Sequence, residues 1–325
     1  MSRILVTGGA GYIGSHTVHL LIRSGYDPVV ADNLSRGHRH NVDAKRLRVL
    51  DLTDTDGLEQ LMRSEGVQAV IHFAAFMAVG ESVREPELYF SNNVGGSLSL
   101  FTAMQRAEVN RLVFSSTAAY YGNPERVPIP EDAPAAPVSP YGESKVIVEK
   151  ILRWLDQYRG LRGISLRYFN ASGADPEAGL GEEHDPETHL IPLLLRAVAT
   201  GQPITIFGND YATPDGTCIR DYIHVSDLAG AHIVALESLL ASDPSGAFNV
   251  GTGKGQSVLE VLRAVEEVTG RKVPHTIGPR RAGDPPSLVA DSTKLRRTLG
   301  WEPRYTEIRD IVATAWEFQR KNREL

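Results

Sequence analysis

Residues 3–14, Arg-Ile-Leu-Val-Thr-Gly-Gly-Ala-Gly-Tyr-Ile-Gly, lead an apolar run into four closely spaced glycines. A segment of helical periodicity follows through Leu20 and Leu21 and stops at Gly25. Gly8, Gly11 and Gly14 set a G-x-x-G-x-x-G spacing, and Gly9 also satisfies G-x-G-x-x-G. A pyrophosphate bound at a helix start needs close backbone approach, free N–H donors and the positive end of the helix dipole. Side chains at those positions would block it. A glycine turn alone occurs in many α/β proteins, so its surroundings decide. Here a strand precedes it, a helix follows, and a second strand ends in Asp32, 18 residues after Gly14. That is near the spacing at which a carboxylate accepts ribose hydroxyls and repels a 2′-phosphate. Arg36 and Arg39 lie nearby but not at that position, so the expected cofactor is NAD and not NADP.

Candidate strands at Arg3–Thr7, Pro28–Asp32, Arg48–Asp51, Ala69–Phe73, Leu112–Ser116 and Gly163–Tyr168 alternate with amphipathic segments. Val94, Leu98 and Phe101 mark one such segment; Ile147, Ile151 and Leu155 mark another. Near-continuous apolar strands joined by helices predict an α/β fold, a doubly wound parallel (Rossmann) sheet covered on both faces. The rhythm breaks after Asn170, where residues 171–187 are rich in Gly, Pro, Asp and Glu. A chain of 325 residues has room for two domains. The reading is a NAD-binding domain over 1–170 and a smaller C-terminal domain over 171–325. A late strand near 247–250 is expected to return to the first.

Ser139-Pro140-Tyr141-Gly142-Glu143-Ser144-Lys145 reads as a helix start, with Pro in the first turn. Tyr141 and Lys145 then share a face at i, i+4. A phenol titrates near ~10 and is a poor base at neutral pH. Lowering it by about three units takes about 4 kcal/mol of differential stabilisation, which Lys145, a helix N-terminus and a cationic nicotinamide could together supply. A Y-x-x-x-K pair by itself is usually surface packing; following a dinucleotide site it predicts an acid–base pair. Upstream, Phe114-Ser-Ser-Thr117 ends a strand in hydroxyls, where open α/β sheets bind their ligands. Thr117 is placed to relay a proton.

Composition removes other classes. The net charge of −6 offers no footprint for nucleic acid or an anionic membrane. No apolar stretch is long enough for a bilayer, and no signal peptide is read. One cysteine, Cys218, excludes an intrachain disulfide and a thiolate zinc site and suits the cytoplasm. It is read as a small, partly buried residue. Ten histidines show no H-E-x-x-H spacing, so no metal is expected.

With these motifs come Val70-Ile-His-Phe-Ala74, Ala78-Val-Gly-Glu-Ser82, Asn92-Asn-Val94 and Leu166-Arg-Tyr-Phe-Asn170. Ile206-Phe-Gly-Asn-Asp-Tyr211, Arg220-Asp-Tyr-Ile-His-Val225 and Pro279-Arg-Arg-Ala-Gly-Asp284 follow. Together, over nearly the whole chain, they resemble the extended short-chain dehydrogenase/reductase family. The resemblance implies reversible epimerisation at C4 of UDP-galactose and UDP-glucose through a transient 4-keto sugar and tightly bound NAD. Tyr141 would be the base, Lys145 would lower its pKa, and Thr117 would orient O4. The resemblance carries the cofactor site onto Gly8, Gly11, Tyr12, Ile13 and Gly14, onto Asp32 and Asn33, and onto Asp51 and Leu52 at the adenine end. Phe73, Ala74, Ala75 and Asn92 border it, and Tyr141, Lys145 and Tyr168 complete it. Substrate would meet Thr117, Tyr141 and Asn170, with His189, Leu190 and Thr205. Phe207, Arg220, Tyr222, Arg281 and Asp284 match positions that hold uridine diphosphate, and guanidinium forks suit phosphate in an acidic protein. A homodimer through helices near Glu87–Ala107 and Tyr141–Tyr158 is implied.

Three departures bear on the reading. Thr117 stands where many members have Ser and keeps the hydroxyl. Met77 replaces a cofactor-touching lysine of some members and receives no role. Leu288 stands on a pocket wall of variable size, which leaves N-acetylated substrates open. A dehydratase or decarboxylase needs further acidic groups near the threonine, where this chain has Ala118 and Ala119. A non-catalytic NAD sensor would typically lack the Tyr–Lys pair.

Overall fold

The computed structural model describes residues 1–242, 245–281 and 284–322. The N-terminal half runs β1 (Arg3–Thr7), α1 (Tyr12–Arg23), β2 (Asp27–Asp32), β3 (Leu47–Val49), α2 (Thr55–Glu65), β4 (Ala69–His72) and α3 (Val79–Arg84). It continues through α4 (Pro86–Tyr89), α5 (Gly96–Arg106), β5 (Arg111–Ser115), α6 (Pro140–Arg159) and β6 (Arg162–Tyr168). Then come β7 (Asn170–Ser172), α7 (Leu190–Thr200), β8 (Ile204–Phe207), β9 (Ile219–His224), α8 (Val225–Ser242) and β10 (Gly246–Val250). The chain closes with β11 (Gly255–Ser257), α9 (Val258–Thr269), β12 (His275–Gly278), β13 (Ser287–Leu288), α10 (Thr293–Leu299) and α11 (Ile308–Asn322).

The main sheet has seven parallel strands in the order β3-β2-β1-β4-β5-β6-β10. The late strand β10 pairs with β6, from Gly246 opposite Ile164 to Val250 opposite Tyr168. Period-two alternation sorts the side chains between two faces. Ile4, Val6 and Ile71 face Val18 and Leu21 of α1 and Leu228, Leu236 and Leu239 of α8. Leu5, Val70 and Phe114 face Met62 of α2, Leu100 and Phe101 of α5, and Leu152 of α6. Each such side chain contributes about 1.5–3 kcal/mol on burial. The direction of winding reverses between β1 and β4, which opens a crevice at their C-terminal ends.

Two elements differ from expectation. The third strand stops at Val49, short of Asp51, because the Asp51 carboxylate accepts from the Thr53 N–H at 2.9 Å and its hydroxyl at 2.7 Å and turns the chain. The helix expected over Glu87–Ala107 is interrupted by a π-helical turn, Phe90–Gly95, which carries Asn93 into the interior.

The later elements build a second layer of sheets. β9 pairs with β7, β11 and β13, and β8 pairs with β12. Leu194 and Leu195 of α7 pack with Val261 and Val265 of α9 and Val312 of α11 as a separate core. No helix among the described residues is long and apolar enough to cross a membrane.

Candidate functional site

The cradle forms at the β1–α1 turn. Gly8 adopts φ +70, and a Cβ there would lie 2.5 Å from the Ala74 nitrogen, so the turn presses on the loop after β4. A Cβ on Gly14 would lie 2.2 Å from the Gly8 carbonyl oxygen. Helix α1 begins at Gly11 with no side-chain cap and no acidic residue in its first turn. Its first amides therefore remain available to an anion. Asp32 closes the cradle: its carboxylate accepts from Ala10 N–H at 2.9 Å and Leu34 N–H at 2.8 Å. Asn33 donates to Asp51 at 2.7 Å, and hydrogen bonds from Thr53 and Asn33 hold the Asp51 carboxyl below its usual range. An uncapped helix start beside a fixed carboxylate fits the pyrophosphate and ribose of a dinucleotide. Tyr12 and Ile13 offer backbone only. The Tyr12 phenol donates to the Gly173 carbonyl at 2.7 Å, and Ile13 packs into the core. Phe73 and Ala74 both donate their N–H groups to the Thr7 carbonyl, holding the far wall of the crevice. Gly14→Ala should cut the NAD retained through purification at least about tenfold, because the new methyl collides with backbone; unchanged content would contradict this account of the cradle.

Tyr141 and Lys145 occupy the first turns of α6, which starts at Ser139. The Ser139 hydroxyl accepts from the Gly142 N–H, and Pro140 takes the first turn. Thr117 follows β5 in extended conformation and accepts from the Ala119 N–H at 3.1 Å. The Thr117 hydroxyl lies near the Tyr141 phenol, with Tyr168 beside it. Tyr141 is 7% and Lys145 3% exposed, so both are cut off from bulk water. Burial pushes the phenol up, and the nearby Thr117 hydroxyl only partly opposes it. Burial likewise pushes Lys145 down, to about 7, against the pull of Glu149. The Lys145 ammonium donates to the Ser115 carbonyl at 2.9 Å and stands 4.9 Å above the Phe114 ring. In the protein by itself burial thus keeps the phenol protonated, and the expected lowering draws on Lys145, the helix N-terminus and a cationic nicotinamide together.

Behind these groups lies a network that sequence reading passes over. Asn93 donates to the Phe76 carbonyl and the Ser144 hydroxyl, each at 3.0 Å, tying the loop after β4 to α6. Asn92 lies beside it and donates to the Asn93 side-chain oxygen at 3.0 Å. Glu149 pairs with Arg167 at 2.6 Å and accepts from the Ser116 hydroxyl at 2.5 Å. It therefore anchors both α6 and the residue before Thr117. Arg167 continues to the Tyr121 hydroxyl at 3.0 Å, which donates to Asn249 at 2.6 Å. Asn93 sits inside the quoted Asn92-Asn-Val94 motif; nothing local marks the Glu149–Arg167 pair, whose members are 18 residues apart.

The candidate substrate residues gather on the second layer. Asn170 stands opposite Tyr222 in the β7–β9 register, and Leu288 stands opposite Arg220 in β9–β13. Arg220 donates to the Pro285 carbonyl at 2.9 Å and reaches Asp284 at 3.4 Å. The Arg281 guanidinium lies 4.1 Å above the Phe207 ring, which is 36% exposed. Ala282 and Gly283 of the Pro279–Asp284 motif, and Arg323–Leu325 at the end of the second half, lie outside the described residues. Thr205 is exposed on β8, and Leu190 opens α7 behind His189. Burial works against charge on His189, but Glu182 and Glu187 outweigh it and hold the imidazole up at about 9. Cys218 is buried and free.

Residues 4–251 match the model of the NAD dependent epimerase/dehydratase family. A UDP-glucose 4-epimerase of Lacticaseibacillus casei is 50% identical over 323 residues, 99% of this chain and 98% of that protein. Among solved structures, UDP-glucose 4-epimerase from Brucella ovis in complex with NAD superposes with a TM-score of 0.95 at 47% identity, over 97% of this chain and 98% of that one. The enzyme of the same description from Bifidobacterium longum, in complex with NAD+ and UDP, gives 0.93 at 37% identity over 99% of both chains.

Proposed function

The chain belongs to the NAD dependent epimerase/dehydratase family, and from that premise we infer that it interconverts UDP-glucose and UDP-galactose by inverting the C4 hydroxyl. It is an NAD-dependent isomerase, and its substrate is a UDP-hexose. The observation that carries the reading is the buried Tyr141 phenol near the Thr117 hydroxyl, one helical turn from the buried Lys145. Bound NAD would take hydride from C4 and return it to the opposite face, and its oxidised ring would add positive charge near the phenol. Gly8, Gly11, Gly14 and the Tyr12 and Ile13 amides would hold the pyrophosphate, and Asp32 with Asn33 the adenosine ribose. Asp51, Leu52, Phe73, Ala74, Ala75, Asn92 and Tyr168 would line the rest of that site.

Tyr141 takes the O4 proton, directly or through Thr117, and returns it after the sugar has presented its other face. Lys145, buried and fixed to Ser115, favours the phenolate once a further positive charge arrives. The uridine diphosphate is held by Phe207, Arg220, Tyr222, Arg281 and Asp284, with His189, Leu190 and Thr205 nearby, while Asn170 meets the sugar. Binding energy thus concentrates on the nucleotide and leaves the hexose free to turn. Ala118 and Ala119 provide no additional acid for eliminating water.

Residues 1–170, with the strand at 247–250, would serve the cofactor, and 171–325 mainly the UDP-sugar. A homodimer is supported by apolar surface on α5 and α6, where Leu98 is exposed and Trp154 stacks on Tyr158 at 5.6 Å, both exposed. A single free cysteine suits the cytoplasm, and the net charge of −6 disfavours nucleic acid as a partner. Purified protein given UDP-galactose without added cofactor should yield UDP-glucose. A 6-deoxy-4-keto sugar instead, or no product from protein that carries NAD, would overturn the assignment. A parallel incubation with UDP-N-acetylgalactosamine reads whether Leu288 leaves room at sugar C2.

A further inference from the structure

We propose that the loop over residues 182–189 is a zinc site, with Glu182, His184, Glu187 and His189 as its four ligands. The four lie in the spacing E-x-H-x-x-E-x-H, and one ligand atom from each falls within 4.8 Å of all the others. His184 Nδ1 is 3.0 Å from Glu182 Oε1, His189 Nδ1 is 3.6 Å from Glu187 Oε1, and His189 also meets Glu182 directly. Ligands about 2.0–2.2 Å from a tetrahedral zinc ion stand roughly 3.3–3.6 Å apart, so the side chains need only small rotations to enclose one.

The donor set selects the metal. Two imidazole nitrogens with two carboxylates suit zinc; magnesium and calcium favour six or more oxygens. Charge is compatible with it: a divalent ion would replace the charged His189 imidazole as the counter-charge to the two carboxylates. Glu182 is only 7% exposed, and none of the other three is fully exposed. The loop is also held from outside. The Tyr12 and His184 rings stand perpendicular with centroids 6.0 Å apart, and Glu183 turns away to meet His40 at 2.9 Å. The Glu183 carbonyl lies 2.8 Å from His38 Nε2.

The absence of H-E-x-x-H spacing predicts no metal, but that spacing describes two histidines on one helix. Here an irregular loop supplies all four donors. A bound ion would lock the turn that leads into α7 against the Tyr12 end of α1, joining the substrate and cofactor sides. Ligation through Nδ1 would leave His189 Nε2 free for another partner. The metal site stands apart from Tyr141, Thr117 and Lys145 and shares only His189 with the proposed nucleotide site, so its test varies His184 and Glu182 and reads metal binding, not turnover.

The test uses tag-free, NAD-loaded protein stripped with a chelator and titrated with Zn²⁺ against a chromophoric competitor, with metal counted by mass spectrometry. About one zinc ion per chain should bind with submicromolar affinity. His184→Gln and Glu182→Gln should each weaken it roughly a hundredfold or more, while His40→Gln leaves it unchanged. Co²⁺ added to the unsubstituted protein should give the intense visible bands of a tetrahedral site, a readout that needs no variant to fold. Affinity weaker than micromolar, equal binding by a folded His184→Gln protein, or octahedral cobalt spectra would overturn the proposal.

Discussion

Tyr141→Phe should lower turnover of UDP-galactose by about 10²–10⁴-fold while the protein keeps its NAD. That range is what a positioned acid–base group contributes. The substitution removes one oxygen from a side chain that is otherwise packed ring and backbone. The Tyr141 carbonyl still accepts from the Ser144 hydroxyl at 2.7 Å, and Ser139 still caps α6. Fold and cradle should therefore survive, and the loss should appear in kcat more than in KM, since the phenol acts on O4 and not on the nucleotide. Two measurements check it: conversion to UDP-glucose by a coupled assay, and NAD released on denaturation. Turnover above about a tenth of the parent rate would remove Tyr141 from the reaction. Loss of both NAD and turnover would instead make it a structural residue.

Stability toward urea should fall steeply as pH drops below about 6.5, from four histidines buried in the neutral state. Burial lowers His16 and His232 to about 4, and His72 and His224 to about 3. A histidine in the unfolded chain titrates near ~6.5. Each ring therefore binds its proton more tightly unfolded than folded. The stability it contributes is present above about 6.5 and is lost as pH falls toward the folded values. Each adds about 1.4 kcal/mol per pH unit inside that window, against a total stability on the order of 5–15 kcal/mol.

The surroundings explain the resistance to charge. The buried His16 and His232 Nε2 atoms have no acceptor for an added proton, and His224 Nδ1 accepts from the Ser226 N–H at 3.1 Å, a bond that protonation breaks. Asp221, Asp227 and Glu187, pushed up by burial, take protons earlier in the folded chain and oppose the trend, but they are three groups against four. Urea unfolding between pH 7 and 5 should report uptake of roughly three to four protons near the acid end, and His232→Gln should reduce that by about one. A slope below one proton would mean that these rings are open to solvent or already charged.

Local patterns made much of this protein legible. A glycine turn, a strand ending in Asp32, and Tyr141 four residues before Lys145 are statements about neighbours on one element. The periods of strand and helix place such neighbours without knowledge of the rest of the chain. The alternation of apolar strands with amphipathic segments likewise determined a parallel sheet, because a strand buried on both faces must be apolar throughout.

Only the tertiary structure decided what surrounds each group. Tyr12 reaches Gly173 across 161 residues, Lys145 spends its ammonium on the Ser115 carbonyl, and Glu149 meets Arg167 under the Thr117 turn. Those partners come from different elements brought together by core packing, and no periodicity in the chain encodes them. The charge state of the Tyr–Lys pair and of the buried histidines followed from that packing, since the cost of a charge depends on how much water and how many dipoles remain beside it.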